Sequence, residues 1–160
     1  MRVGIGYDAH AFAAPEEARD LILGGVTIAH ERGLAGHSDA DVLLHALVDA
    51  LLGAAALGDI GAHFPSSDAR WRGAPSTAFL TATRQMLTER GWAIANVDAT
   101  IVAERPRLAP HVAAMRAHVA RALELAEDCV SVKSKTTDGL GFAGRQEGIA
   151  AYAVALITRT

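Results

Sequence analysis

Short β-patterned runs alternate with longer helical ones along this chain. Arg2 to Tyr7 reads as a strand, because Val3, Ile5 and Tyr7 alternate with small residues, and this leaves Asp8 and His10 just past its end. Leu21 to Ile28 carries β-branched residues around Gly24-Gly25, the pattern of a hairpin or bulge. Gly33 to Gly36 reads as a loop. Ser38 is placed to cap a helix, with Asp41 in the capping-box position three residues on. Leu43, Leu44, Leu47, Leu51 and Ala54 then form one apolar face, and Gly58 is the expected terminator. Asp59 to Gly73 is polar and reads as a loop. A second helix is expected from Pro75 to Gly91, a strand over Val97 to Val102, and a third helix from Pro110 to Ala126. Val130 to Lys135 is a further strand, Thr136 to Gly148 a glycine-rich loop, and Ile149 to Ile157 a closing strand. Alternation without a linker predicts one α/β sandwich over residues 1–160, a sheet with helices on one face.

Composition narrows the function classes. The net charge is −3 and the basic residues are scattered, which argues against a general nucleic-acid binder. The single Cys129 cannot form an internal disulfide and fits a reducing cytoplasm. The opening MRVGIGYDAHAF lacks the apolar core of a signal peptide, and His45 and Asp49 interrupt the most apolar stretch, so no membrane segment is expected.

The first chemical signal is Asp8-Ala9-His10. Residues i and i+2 of an extended segment point to the same side, so a carboxylate and an imidazole can converge on one ion. A third ligand must come from elsewhere, and His45 is the candidate, since bare helical propensity gives no reason for a histidine among leucines. Asp41 and Asp49 flank it at i−4 and i+4, and Asp49 is placed to orient its ring. The ordinary alternative is a helix histidine satisfied by a hydrogen bond. His30, His63 and His118 read as surface or loop residues, and His111 as structural.

Two segments suit phosphates. Gly36-His37-Ser38-Asp39 leads into the expected helix N-terminus, where free N–H groups favour an anion. Lys133-Ser134-Lys135-Thr136-Thr137-Asp138 offers two ammonium groups and several hydroxyls before a carboxylate able to hold magnesium. Neither a GxSxG elbow, a Walker loop nor a GxGxxG after a strand is present.

Assembled in order, GYDAHAF, LILGGVTI, GLAGHSDADVLLHALVDALLGAAALGDIGAHFP, NVDATIVAERPRLAPH and KTTDGLGFAGRQEGIAAYAVALI span nearly the whole chain. Together they resemble the 2-C-methyl-D-erythritol 2,4-cyclodiphosphate synthase family. That resemblance implies an enzyme of the non-mevalonate isoprenoid pathway. It would convert 4-diphosphocytidyl-2-C-methyl-D-erythritol 2-phosphate to the cyclic diphosphate and CMP. The implied fold is a mixed four-stranded sheet with helices on one face. The implied assembly is a homotrimer about a threefold axis, with active sites between subunits. Asp8, His10 and His45 match the family's zinc ligands, and Asp138 its magnesium or manganese ligand. His37 and Thr136 would steady the transition state. Ser38, Asp59, Ile60, Gly61, Phe64, Pro65, Ser66, Ser67 and Asp68 match the phosphate and erythritol wall. Ala103, Glu104, Arg105, Pro106, Arg107, Leu108 and Ala109 match the cytidine pocket, with Lys135 and Thr137 on the nucleotide phosphates. Phe142 and Arg145 match further ligand or trimer-axis contacts, and Arg145 with Glu147 suggests a charged ring beside a cavity for an isoprenoid diphosphate. Two positions depart from the family pattern. Asp138 stands where Glu is usual, and Ser66 replaces a carboxylate.

Two rival classes share these features. A metal-dependent phosphohydrolase would use the same ligands, and its linear monophosphate product would separate it from a cyclase. A non-enzymatic carrier of isoprenoid diphosphates would need no cytidine pocket, whereas Arg105-Pro106-Arg107 and the Lys-Thr-Thr-Asp segment suggest one.

Overall fold

The computed structural model describes residues 1–160. Strand β1 spans Arg2–Ala11, and Leu21–Leu23 (β2) and Val26–Ile28 (β3) form a hairpin turned at Gly24-Gly25. Helix α1 covers Val42–Ala55, the four-residue α2 Ile60–His63, and α3 Ser76–Glu89. Then follow β4 (Trp92–Val102), α4 (Val112–Leu123), β5 (Val130–Lys135), the four-residue α5 (Gly141–Gly144) and β6 (Gly148–Arg159). The main sheet has the order β1-β6-β4-β5, antiparallel except for the β4–β5 pair, so the expected mixed four-stranded sheet is present. α1 packs across β1 and β6, α3 beside it, and α4 over β5. One apolar cluster of 37 buried residues joins these layers.

The even positions of β1 explain how α1 reaches the sheet. Gly4, Gly6, Asp8 and His10 all face the helix, as the two-residue period of a strand requires. A Cβ on Gly4 would lie 2.0 Å from the Ala50 carbonyl oxygen, and one on Gly6 1.9 Å from that of Ala46. Backbone thus meets backbone, and a larger residue at either position would push α1 and His45 away from the strand. The odd positions Val3, Ile5 and Tyr7 point outward and are exposed, as are Tyr152 and Val154 on β6.

Several local expectations change. β1 continues through Asp8 and His10, because both pair with β6 residues, Ala151 and Ile149. Helix α1 starts at Val42, and Asp41 is its cap, accepting from Leu44 N at 3.1 Å. Ser38 instead accepts from Ala40 N, so residues 36–39 form a loop before the helix rather than its first turn. The Asp41 carboxylate is fully buried and also accepts from Gly24 N at 2.9 Å and Gly25 N at 2.7 Å, tying the hairpin tip to the helix. Burial pushes this carboxyl up to about 6, while those three N–H donors oppose the rise. Ala56, with left-handed φ of 58°, ends α1 in place of Gly58. The two expected loops hold the short helices α2 and α5. His118, expected at the surface or in a loop, is half-buried in α4 against the Gly25 turn.

Candidate metal centre and nucleotide pocket

Strand β1 and helix α1 bring Asp8, His10 and His45 together, with all their ligand atoms within 4.8 Å of one another. Asp8 Oδ2 lies 3.0 Å from His10 Nε2 and 2.9 Å from His45 Nδ1. The two ring nitrogens are 3.1 Å apart. Their outer hydrogen bonds fix which atoms carry protons. His10 Nδ1 is 2.7 Å from the Ala35 carbonyl, which can only accept, so Nδ1 bears the hydrogen. Ser76 Oγ donates to Asp39, so it accepts from His45 Nε2–H at 2.9 Å. In the neutral rings, Nε2 of His10 and Nδ1 of His45 therefore turn lone pairs toward each other and toward a carboxylate oxygen. Three electron-pair donors in a triangle repel unless a cation lies among them. Tetrahedral zinc with ligands at ~2.0–2.2 Å would set them ~3.3–3.5 Å apart, so the donor set fits such an ion after a small expansion.

Burial disfavours charge on Asp8, but hydrogen bonds and attraction from His10 and His45 outweigh it and hold the carboxyl well below the usual range. Burial likewise opposes charge on His10, yet the Asp8 carboxylate raises its pKa above 6.5.

Asp49 does not orient His45. Its Oδ1 accepts from Ile60 N at 2.7 Å and so fixes the start of α2, while Ser76 holds the ring. Ser38 Oγ is a second partner, 3.2 Å from His45 Nε2. Asp39 completes the support, its Oδ2 accepting from Ser76 N at 2.9 Å. Sequence reading missed Ser76, because nothing local shows that a serine beside Pro75 turns inward, and it named Asp39 only as part of the phosphate loop, not as a support of the ligands.

A cavity of about 260 Å³ opens over the three ligands. His37, Ser38, Ile60, Gly61, Phe64 and Ser66 line it, as do Trp71 and Phe79, which sequence reading also missed. Phe64 and Phe79 stack at 4.8 Å, with Trp71 edge-on to both at 5.3 and 5.4 Å. Their signal was rarity: the chain has only four Phe and two Trp. Asp59 caps α2 through Ala62 N. Asp68 caps the turn at Ala69–Trp71, and the Arg70 guanidinium draws its carboxyl down. Pro65, Ser67 and Asp68 are not among the lining residues.

A second cavity, of about 180 Å³, joins Ala103, Glu104, Pro106, Arg107, Leu108 and Ala109 to Ser134, Lys135 and Thr136. Arg105 lies outside its lining. Asp138 is exposed with φ of 53°, its Oδ1 accepting from Thr136 Oγ1 at 3.2 Å. Thr137 and Phe142 line a third, apolar hollow of about 140 Å³ with Tyr7, Leu140 and Tyr152. Arg145 pairs with Glu147 of the same chain at 2.8 Å, so both have a local partner.

Sheet register separates the two cavities. Asp8 pairs with Ala151, Ala151 with Ile101, and Ile101 with Ser134. Three strand spacings put Asp8 about 14 Å from Ser134, at opposite edges of one sheet.

The YgbB family model matches residues 1–158 of this chain. The chain belongs to the YgbB family. A curated relative from Salinibacter ruber, named 2-C-methyl-D-erythritol 2,4-cyclodiphosphate synthase, is 59% identical over 157 residues, covering 98% of each chain. Among solved structures, the bifunctional IspDF from Campylobacter jejuni matches this YgbB-family chain with a TM-score of 0.94 at 39% identity. The match covers 99% of this chain and 42% of that longer one. The Plasmodium falciparum IspF CDP complex matches with a TM-score of 0.86 at 32% identity, covering 99% and 96%.

Proposed function

We propose that this YgbB-family chain is a 2-C-methyl-D-erythritol 2,4-cyclodiphosphate synthase. The observation that carries the reading is the triangle of Asp8, His10 and His45 with its electron pairs turned inward. The substrate is 4-diphosphocytidyl-2-C-methyl-D-erythritol 2-phosphate. Its 2-phosphate oxygen attacks the diphosphate phosphorus nearer the erythritol; one P–O bond forms, another breaks, and CMP leaves with the electron pair. The attacking oxygen is already ionised at neutral pH, which accounts for the missing nucleophile–base pair. Positioning and charge neutralisation are the whole task.

Asp8, His10 and His45 would hold zinc, and Asp138 magnesium or manganese, and such ions would supply positive charge to the diphosphate. His37 and Ser38 meet the phosphates from the loop before α1. Asp59, Ile60 and Gly61 hold the erythritol, with Phe64 to Asp68 as the remaining wall. Residues 103–109 take the cytidine, Lys135 and Thr137 its phosphates, and Thr136 the developing charge.

Residues 1–160 act as one domain, in a homotrimer. Two features support the trimer. The two cavities share no residue and lie at opposite sheet edges, so a neighbouring copy would bring its nucleotide pocket to this metal end. The sheet face away from the helices also leaves Val3, Ile5, Tyr7, Tyr152 and Val154 exposed, an apolar patch of the kind that marks an interface. Phe142 beside the apolar hollow, with Arg145 near it in sequence, supports an isoprenoid diphosphate as a further ligand at the axis. No helix is long and apolar enough to cross a membrane, and a cytoplasmic location is proposed with the rest.

Product analysis tests the reaction. The purified protein with zinc and magnesium should convert the substrate to the cyclic diphosphate and one equivalent of CMP. A linear monophosphate product would instead support the phosphohydrolase.

A further inference from the structure

Arg19 is a sequence position to which no function attaches so far. It follows a turn at Pro15–Glu17 and its half-buried side chain crosses to the loop before α1. Nη1 donates to the Gly36 carbonyl at 2.6 Å, and Nη2 donates to the Ser38 carbonyl. Between them, the His37 carbonyl accepts from Gly73 N at 2.8 Å. Three successive carbonyls are thus held from outside the loop. A planar guanidinium can span two of them with one rigid fork, which a lysine ammonium cannot.

The loop divides two spaces. His37 and Ser38 line both the metal cavity and an open polar cleft on the Arg19 side, where Glu17 and Arg72 also lie. A trans peptide sends its C=O and N–H in opposite directions. With the Gly36 carbonyl turned to Arg19, the His37 N–H points away from it and has no acceptor within the chain. The His37 ring is itself loosely held, its one contact being 3.4 Å to the Asp68 carbonyl. The placement of His37 therefore depends on the backbone beneath it.

We infer that Arg19 is a positioning residue that clamps residues 36–38 so that His37 and Ser38 meet the phosphates, a role that rests on the cyclisation reading above. It touches no substrate. Its removal should loosen the loop while Asp8, His10 and His45, carried by β1 and α1, still hold metal.

The test compares unaltered protein with Arg19→Gln and Arg19→Lys in three measurements: steady-state CMP release, bound zinc per chain, and amide hydrogen exchange over residues 36–40. Arg19→Gln should lower kcat about tenfold or more, the cost of sub-ångström misplacement of reacting groups. KM should change less than about threefold, bound zinc should stay equal, and exchange over residues 36–40 should quicken about tenfold or more. Arg19→Lys, able to reach one carbonyl, should fall between. Turnover within about twofold of the unaltered protein, unchanged exchange, or a loss of turnover that tracks lost zinc would overturn the inference. Should the unaltered protein release no CMP, the cyclisation reading fails. The exchange measurement then still decides whether Arg19 clamps the loop.

Discussion

The candidate metal end and the proposed nucleotide end of this sheet are built differently. At the metal end every ligand has its own support within the chain: the Ala9 N–H for Asp8, Ala35 for His10, and Ser76, with Asp39 behind it, for His45. The helix that brings His45 sits on glycine backbone and is anchored by a buried carboxylate. At the nucleotide end the groups are sparse and exposed. Lys135, Thr136 and Asp138 lie on the surface, and Asp138 has a single threonine hydroxyl as partner. One end is prearranged before any ligand arrives, while the other offers groups that a ligand or a neighbouring copy must complete. Prearrangement suits zinc, which is held directly by three protein side chains. Magnesium keeps several waters and takes one or two protein carboxylates, so it needs less of a cage.

The sharpest way to break this contrast is His45→Ala. Bound zinc and CMP release should vanish together, with turnover down about a thousandfold or more, since a metal ion contributes several kcal/mol to such a step. Full zinc by elemental analysis in that variant would end the assignment. Asp41→Ala comes next. It removes the α1 cap and leaves the Gly24 and Gly25 N–H groups without acceptors, at a cost of about 3 kcal/mol in urea unfolding. A loss under about 1 kcal/mol would mean that the metal end is not anchored there. Asp138→Ala should leave zinc content intact and lower magnesium-supported turnover about tenfold, while Asp138→Glu, the usual family residue, should stay close to the unaltered rate. Loss of zinc in Asp138→Ala would show that the two ends are not independent.

The smallest effect is in the pH dependence of the metal-free protein. The depressed carboxyl of Asp8 contributes stability above its ordinary 3.8 that is lost as pH falls below it. The raised His10 contributes stability below 6.5 that is lost as pH climbs through its raised value. Their pair should therefore stabilise the metal-free protein most between the two, by about 1 kcal/mol or ~2–4 °C in Tm. Asp8→Asn should flatten that maximum. Zinc, which needs the deprotonated ring, should move the optimum to higher pH.

Much of this was legible in the sequence. The two-residue period of β1 and the Gly-Gly hairpin are local patterns, and β5 and the apolar helix could be read from theirs. The D-x-H pair converged as its spacing requires. What failed was set by partners distant in the chain. Ser38 and Asp41 both fit a local capping rule, and the choice fell to Asp41 because the hairpin tip supplies two further donors. Asp49 sits at the right spacing to reach His45, but the Ile60 N–H takes its carboxylate. β1 extends past Tyr7 because β6 pairs with Asp8 and His10, a register no local window contains. The match to 103–109 came from the resemblance, while Lys135–Thr136 was legible as a phosphate segment from its own side chains, and the fold does bring those segments into one cavity, without Arg105.

The most direct measurement is nitrogen NMR of the imidazole rings in metal-free protein titrated with zinc. One equivalent per chain should move only His10 Nε2 and His45 Nδ1 to metal-bound positions, with His10 Nδ1 and His45 Nε2 keeping their protons. Zinc that leaves those two nitrogens unmoved, or that binds through the opposite atoms of either ring, would contradict the account.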